Sequence, residues 1–552
     1  MRSEEDRRIW RVLGLAALAC ALAACGAPVR RLAPAAHVPA VTLATARSWA
    51  MEAARQSSAE RAARAWLRCA ADAYRVAADA GPRAEDALAL DTQCTGRLLD
   101  ILLATEPMRW TRRTLDVGGL PLDVELRGLS PGLAGPPAFE RADRIPVSDL
   151  AFGQRFATNG FGVALVASTP RCNGSPQCRL IPPEGVTRAA VAWVEADTEG
   201  VPRLVFADPL ALGSVTVGGR AYALSQDTTA PYAMLADASQ LKQLAIRNLL
   251  VNGKDIGMRQ GVYLLEDYDP DKIPIVMLHG LGGSPLVWTR LTNRIQGTPA
   301  LRARYQVWHV VYQTNAPVLV SRLRVQGFLD EAWAALDPGG QAPARRHVVL
   351  VGHSMGGVIA RLLAADSGDA IWQAAFAVPA DEVHGDPADL STVRKLFYFA
   401  PYPGVDTAFF LASPHHGSPA AGDFLGRLAL RVVKSSGFEL DALANLVKND
   451  AQAFRPEVLR SYRERGLTSI STLRTDQPVS RAAWALLPAP GIRYYTIAGS
   501  LPGEAVPGDG VVPLESAFLP GAVSTTTVTS GHRVYRSDEA INLIVKVLGE
   551  SL

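Results

Sequence analysis

Charge of one sign is what this chain of 552 residues has least of: 56 Lys and Arg stand against 53 Asp and Glu, leaving +3. A nucleic-acid-binding protein needs a basic face or stripe, and this balance gives no support for one. Lysine is scarce, seven among those 56 cations. Codon bias toward arginine accounts for that more simply than phosphate recognition. Beyond the N-terminus no apolar run reaches about 18 residues, which excludes a multi-span membrane protein. The 48% hydrophobic and 20% charged content excludes a disordered chain. The length leaves room for roughly two to four domains and a large core.

Arg2, Arg7, Arg8 and Arg11 precede the apolar stretch Val12 to Ala24. That stretch has the length of a signal-peptide core and is too short to span a bilayer. It ends in Leu22-Ala23-Ala24-Cys25, which resembles a bacterial lipobox. The resemblance implies that residues 1–24 are a signal peptide and that Cys25 is lipidated and opens the mature chain. Residues 25–45, rich in Ala, Pro and Val, then form a tether. Gly26 in place of aspartate gives no signal for inner-membrane retention. The expected partner is a lipid bilayer, in the outer membrane of a diderm bacterium. An ordinary signal peptide with a chance cysteine is the plainer alternative.

Four cysteines remain beyond this leader, an even number that suits two disulfides in an exported chain. Residues 46–108 read as a helical hairpin: Trp66, Ala70 and Tyr74 share one helical face, as do Leu90, Cys94, Leu98 and Ile101, and Gly81-Pro82 breaks between them. Cys69 and Cys94 lie equally far from that break, so an antiparallel hairpin brings them level. Cys172 and Cys178 flank the turn-rich Asn173-Gly174-Ser175-Pro176, which a second disulfide would close. Their spacing is not a common zinc spacing, and no metal is expected. Residues 109–255 change to short apolar runs between turns, including Thr114 to Arg127, Gly162 to Ala167, Ala189 to Glu195 and Arg203 to Phe206, and read as a β-rich accessory domain.

Residues 256–552 alternate apolar strands with helical stretches, the pattern of an α/β fold with a largely parallel sheet. Strands are expected at Ile273 to Leu278, Tyr305 to Tyr312, His347 to Gly352, Asp406 to Ala412, Ile492 to Ala498 and Ser524 to Thr529. The third runs into Gly352-His353-Ser354-Met355-Gly356-Gly357 and a helix expected over Val358 to Asp366. A Gly-x-Ser-x-Gly pattern on a strand-to-helix turn is a nucleophile elbow: the turn exposes the serine oxygen, and side chains two residues to either side would collide. A helix start with glycine-rich packing is the bland reading, and the strand before it argues against that.

A serine nucleophile needs a base, and the base needs an acid to orient it. In this order of elements the base follows the serine, leaving His384, His415, His416 and His532 of nine histidines. His532 follows the last strand and precedes the last helix, where the base belongs. His415 and His416, in Ser413-Pro414-His415-His416-Gly417-Ser418, are placed to support the site. Asp509 in Gly508-Asp509-Gly510 is the expected acid, with Glu504 and Glu515 as rivals. The backbone N–H groups of Met355 and of Leu281, in His279-Gly280-Leu281-Gly282-Gly283, are the expected oxyanion donors. His279 reads as an orienting residue.

Four blocks in order (279–283, 352–357, 413–418 and 508–513 with Gly531-His532) resemble α/β-hydrolases, specifically bacterial exported lipases and esterases. The resemblance implies carboxylic-ester hydrolysis through an acyl-serine, with Ser354, Asp509 and His532 as triad, and no cofactor is expected. Calcium-binding secreted lipases carry an aspartate just behind the catalytic histidine. Arg533-Val534-Tyr535 stands here, so calcium is not carried over. The segment Asp366 to Val405 holds Trp372, Phe376, Phe397, Tyr398, Phe399 and Tyr402 and is expected to form a lid walling an apolar acyl pocket, so the expected substrate is an apolar acyl ester. Rings that merely pack against the core are the alternative, and Gly422 to Leu486 is a second candidate covering. An acyltransferase or phospholipase would use the same acyl-serine. A non-catalytic surface lipoprotein is the reading from another class.

Overall fold

The structure, a computed structural model, describes residues 41–105, 109–129, 135–239, 241, 259–417, 437–465 and 478–550. The expected leader, Cys25 and most of the tether lie outside the described residues, as does much of Gly422 to Leu486. From Leu43 onward the chain is one compact unit. No described helix is long and apolar enough to cross a membrane.

Three helices come first, α1 Leu43–Arg55, α2 Ala59–Ala78 and α3 Ala84–Thr105. The hairpin read from the sequence is α2 and α3, and α1 packs against it as a third member, with Trp49 Nε1 donating to Asp72 Oδ2 at 3.0 Å. Alanine is why the helices sit close: Ala63, Ala70, Ala73 and Ala77 are buried along α2, and small side chains cost little entropy on burial. Cys69 and Cys94 are joined across this pair, and Cys172 is joined to Cys178. The layer covers a six-stranded sheet in the order 113–116, 121–127, 202–207, 186–196, 163–169, 138–141. Leu67, Leu98 and Leu99 pack there with Leu122, Leu165, Leu204 and Phe206. The run Thr114 to Arg127 is two strands, turned where Val117 and Leu120 exchange backbone hydrogen bonds. Helix Thr229–Ala238 joins this layer to the C-terminal sheet, since Tyr232 and Leu235 share a core with Val166, Ile275, Met277 and Trp288.

The C-terminal sheet has seven strands: β1 Gly261–Leu264, β2 Ile273–Leu278, β3 Tyr305–Val311, β4 Val348–His353, β5 Val405–Leu411, β6 Arg493–Ser500 and β7 Ser524–Thr529. Their order is β1-β3-β2-β4-β5-β6-β7, parallel throughout except β1 against β3. The inner strands are buried on both faces, which is why they read as unbroken apolar runs. Val276, Leu278, Leu350, Ala408 and Phe410 face one core, and Ile275, Met277, Val349, Val351 and Phe409 face the other. The first core is closed by α4 Val318–Leu336, α5 Met355–Leu363 and α6 Pro387–Phe397, and the second by α7 Asp538–Glu550 and neighbouring turns. Six strands stand where the apolar runs predicted them. β1, only four residues long, was not foreseen, although Val262-Tyr263-Leu264-Leu265 is a short apolar run.

The expected lid is not what Asp366 to Val405 builds. It folds into helix Ala370–Ala375 and α6, and Trp372, Phe376, Phe397 and Tyr402 are buried in the core. Trp372 stacks on Phe376 at 3.8 Å, Phe376 meets Phe397 edge-on at 5.4 Å, and Phe454 closes the group at 4.4 Å from Phe376. Trp372, Phe376, Phe397 and Tyr402 are at most 6% exposed and belong to the same core as Leu350 and Phe410, so packing is what they do here, while Tyr398 and Phe399 are half-buried.

Candidate active site

β2 and β4 are separated by about seventy residues yet pair directly, with Leu278 opposite Gly352. This crossover sets the loop after β2 beside the turn after β4, at the carboxyl ends of the strands where open α/β sheets place their sites. The turn is sharp. Ser354 has φ 55° and ψ −125°, one of three described non-glycine residues at positive φ, a conformation that costs about 1–3 kcal/mol and is held by its surroundings. Its N–H donates to Leu411 O at 2.9 Å. A Cβ on Gly352 would lie 2.5 Å from Gly356 O, and one on Gly356 would lie 2.3 Å from Leu278 O. Both glycines are therefore steric requirements of the turn. The helix starts at Met355, three residues earlier than its apolar pattern suggested.

Ser354 Oγ lies 3.0 Å from His532 Nε2, and His532 Nδ1 lies 2.9 Å from Asp509 Oδ2. The carboxylate can only accept, so Nδ1 carries the proton and Nε2 presents a lone pair to the serine hydroxyl. The other oxygen of Asp509 accepts from Val511 N at 2.8 Å and Val512 N at 2.7 Å. Asp509 is buried, His532 is partly exposed, and Ser354 is 9% exposed. The two rivals for the acid, Glu504 and Glu515, are exposed. His384 faces Asp450 with its side chain 90% exposed.

Of the two expected oxyanion donors, Met355 follows Ser354 directly and Leu281 follows Gly280 in the loop after β2. Gly282 N–H donates to Thr314 Oγ1 and Gly283 N–H to Gly280 O, each at 3.0 Å. Those of Leu281 and Met355 have no acceptor among the described residues. Gly280 packs against the nucleophile, since a Cβ there would lie 2.9 Å from Ser354 Cβ. Beneath the loop, His279 is buried and donates from Nδ1 to Gly280 O at 3.0 Å, while Tyr312 stacks on its ring at 4.5 Å and donates to its carbonyl. Burial pushes the His279 ring down to about 4, so it stays neutral.

His415 and His416 lie on the loop that follows β5. His415 N–H donates to Ser516 O at 2.8 Å, and Ser516 Oγ donates to Gly417 O, which ties this loop to the turn after Asp509. The buried Arg361 of α5 donates to the carbonyls of His415, Ala483 and Trp484. Sequence reasoning missed Arg361, Thr314 and His353. Arg361 and Thr314 belong to no spacing that announces chemistry, and His353 stands at a position that the Gly-x-Ser-x-Gly pattern leaves open. Among the described residues no group of three or more His, Cys, Asp or Glu is placed to hold a metal ion.

A family model described as the alpha/beta hydrolase family matches residues 275–542. That stretch is an α/β-hydrolase domain. It spans β2 to α7 and contains the serine, the aspartate and the histidine. Solved structures similar to this chain include the mature form of a Bacillus licheniformis lipase, 18% identical over 52% of this chain and 97% of that one, at a TM-score of 0.27. Lipase 1 of Pelosinus fermentans is 15% identical over 51% and 98%, at 0.29. An esterase from a Rhodococcus species is 15% identical over 52% and 94%, at 0.25. Overlaps this slight carry no argument about the reaction. No curated protein matches the chain.

Proposed function

We propose that the hydrolase domain cleaves carboxylic esters through an acyl-serine, with Ser354 as nucleophile, His532 as base and Asp509 as the acid that orients it. One observation carries the reading: a single imidazole bridges Ser354 Oγ at 3.0 Å and Asp509 Oδ2 at 2.9 Å. In the first step Oγ attacks the ester carbonyl carbon while His532 Nε2 takes the hydroxyl proton. The carbonyl oxygen becomes an oxyanion facing the N–H groups of Met355 and Leu281. Collapse breaks the bond to the alkoxy group, which leaves as the alcohol with the proton from His532. Water, deprotonated by the same nitrogen, then releases the acid and restores the serine. The test is labelling by a fluorophosphonate probe together with ester turnover. Ser354→Ala should abolish labelling and lower turnover by about 10^4-fold or more. Labelling that survives in this variant removes the assignment. Running the assay with and without a lysolipid acceptor separates hydrolysis from acyl transfer.

We also propose that Cys25 is acylated and holds the enzyme on a bilayer, in the outer membrane of a diderm bacterium. The support is Leu22-Ala23-Ala24-Cys25 at the end of an apolar stretch. Cys25→Ser should release the protein or block its processing, and fractionation identical to wild type would leave an ordinary signal peptide instead.

A further inference from the structure

His353 is the unassigned residue of the elbow, the last residue of β4 and the one before the nucleophile. Its ladder partner is Leu411 on β5, which fixes the direction of its side chain. The ring is buried, meets Tyr535 edge-on at 4.8 Å and lies 4.9 Å from the ring of His532. Its Nε2 is 2.7 Å from the main-chain oxygen of His532. A carbonyl can only accept, so Nε2 carries a proton there. Burial, with the neighbouring His532 adding to it, pushes the His353 ring down to about 3, and the ring stays neutral. On its other side Nδ1 faces Gly280, where a Cβ would lie 3.1 Å away.

We propose that His353 is a positioning residue, which holds the carbonyl of His532 and thereby fixes the loop that carries the base. This rests on the triad reading above. The imidazole of His532 has to reach two partners at once, and a side-chain hydrogen bond to Asp509 alone leaves the main chain beneath it free to shift. The His353 bond is a second tether, made from the strand that also carries Ser354, so base and nucleophile are referenced to the same piece of backbone. A neutral ring suits the role for a further reason: His532 becomes cationic when it takes the serine proton, and a cation 4.9 Å away would oppose that step.

The experiment compares His353→Phe, which keeps a ring and loses the donor, with His353→Gln, whose amide nitrogen reaches about as far as imidazole Nε2. The measurements are kcat and KM for one ester, the melting temperature, and the low-field proton resonance of the His532–Asp509 hydrogen bond. A misplacement of about 1 Å costs about 100-fold in rate. His353→Phe should lower kcat by about that factor with KM little changed and should shift or broaden the resonance, while His353→Gln restores most of both. Wild-type kcat in His353→Phe overturns the proposal, and so do losses in both variants that merely follow their melting temperatures. Should His353→Phe not fold, His353→Asn, chemically the same amide but one methylene too short, takes its place. If wild type turns over no ester, the triad reading falls by itself. The resonance then decides the positioning role, and an unchanged signal in the variant overturns it.

Discussion

Nδ1 of His532 lies 2.9 Å from Oδ2 of Asp509, and that carboxylate is held from behind by two backbone N–H groups, those of Val511 and Val512. Asp509 is thus fixed by its own turn and aims one oxygen at His532. Asp509→Asn keeps the shape but offers an N–H where an acceptor is needed, which favours the wrong imidazole tautomer. Turnover should fall about 10^3- to 10^4-fold with the melting temperature little changed. Glu504→Gln and Glu515→Gln should leave turnover near wild type, and a reversal of this ranking in steady-state kinetics moves the role to a glutamate.

Two glycine substitutions with opposite surroundings test the elbow. Gly356→Ala places a methyl 2.3 Å from the Leu278 carbonyl, a contact with backbone that cannot yield cheaply. The variant should be insoluble or melt far below wild type. Gly549→Ala near the end of α7 meets nothing within 4 Å and should be neutral or add about 0.5–1 kcal/mol through helix propensity. Thermal melts of the two variants side by side decide it.

The aromatic cluster of the insertion should govern stability. Phe376→Ala removes a ring that is 1% exposed and in contact with Trp372, Phe397 and Phe454, at a cost of about 3–5 kcal/mol in denaturant unfolding. Relative rates on acetyl, butyryl, octanoyl and palmitoyl esters should keep the wild-type order in any Phe397→Ala protein that folds. A changed order would return these side chains to the acyl pocket.

Acid should weaken the fold through buried histidines. Burial holds His279 at about 4 and both His309 and His353 at about 3, against an ordinary value of 6.5. Between those values and 6.5 the unfolded chain binds protons that the folded chain does not, so stability rises with pH in that window and falls as pH drops through it. Each group contributes at most about 1.4 kcal/mol per pH unit. Asp91, raised by burial, works the other way: its contribution is present below 3.8 and is lost as pH rises past it. His415 and His416 are lowered by burial in the same direction as the other histidines, and Asp72, Glu266 and Asp330 are raised by burial like Asp91. The ordinary histidine value lies inside the range from pH 7 to pH 5 while the ordinary carboxyl values lie below it, so melting temperature should fall from pH 7 to pH 5. His309→Gln should make that slope shallower, and an unchanged slope would mean the ring titrates normally in the folded protein.

The sequence by itself determined six of the seven strands of the C-terminal sheet and pointed to Ser354, Asp509 and His532. Strands buried on both faces must be apolar at nearly every position, and Val348 to Val351 or Phe409 to Leu411 can be read as little else. The serine was legible for a related reason: its turn needs glycines at 352 and 356, and a steric requirement leaves a letter in the sequence. Chain order then placed His532 and Asp509. The tertiary structure alone decided what the other side chains touch. Nothing local distinguishes an aromatic that walls a cleft from one that stacks in a core, because both need large apolar rings, and so Trp372 and Phe376 were misread. His353 was invisible for the complementary reason. Its partner is a main-chain carbonyl 179 residues away, and a backbone atom carries no residue type from which such a contact could be foreseen.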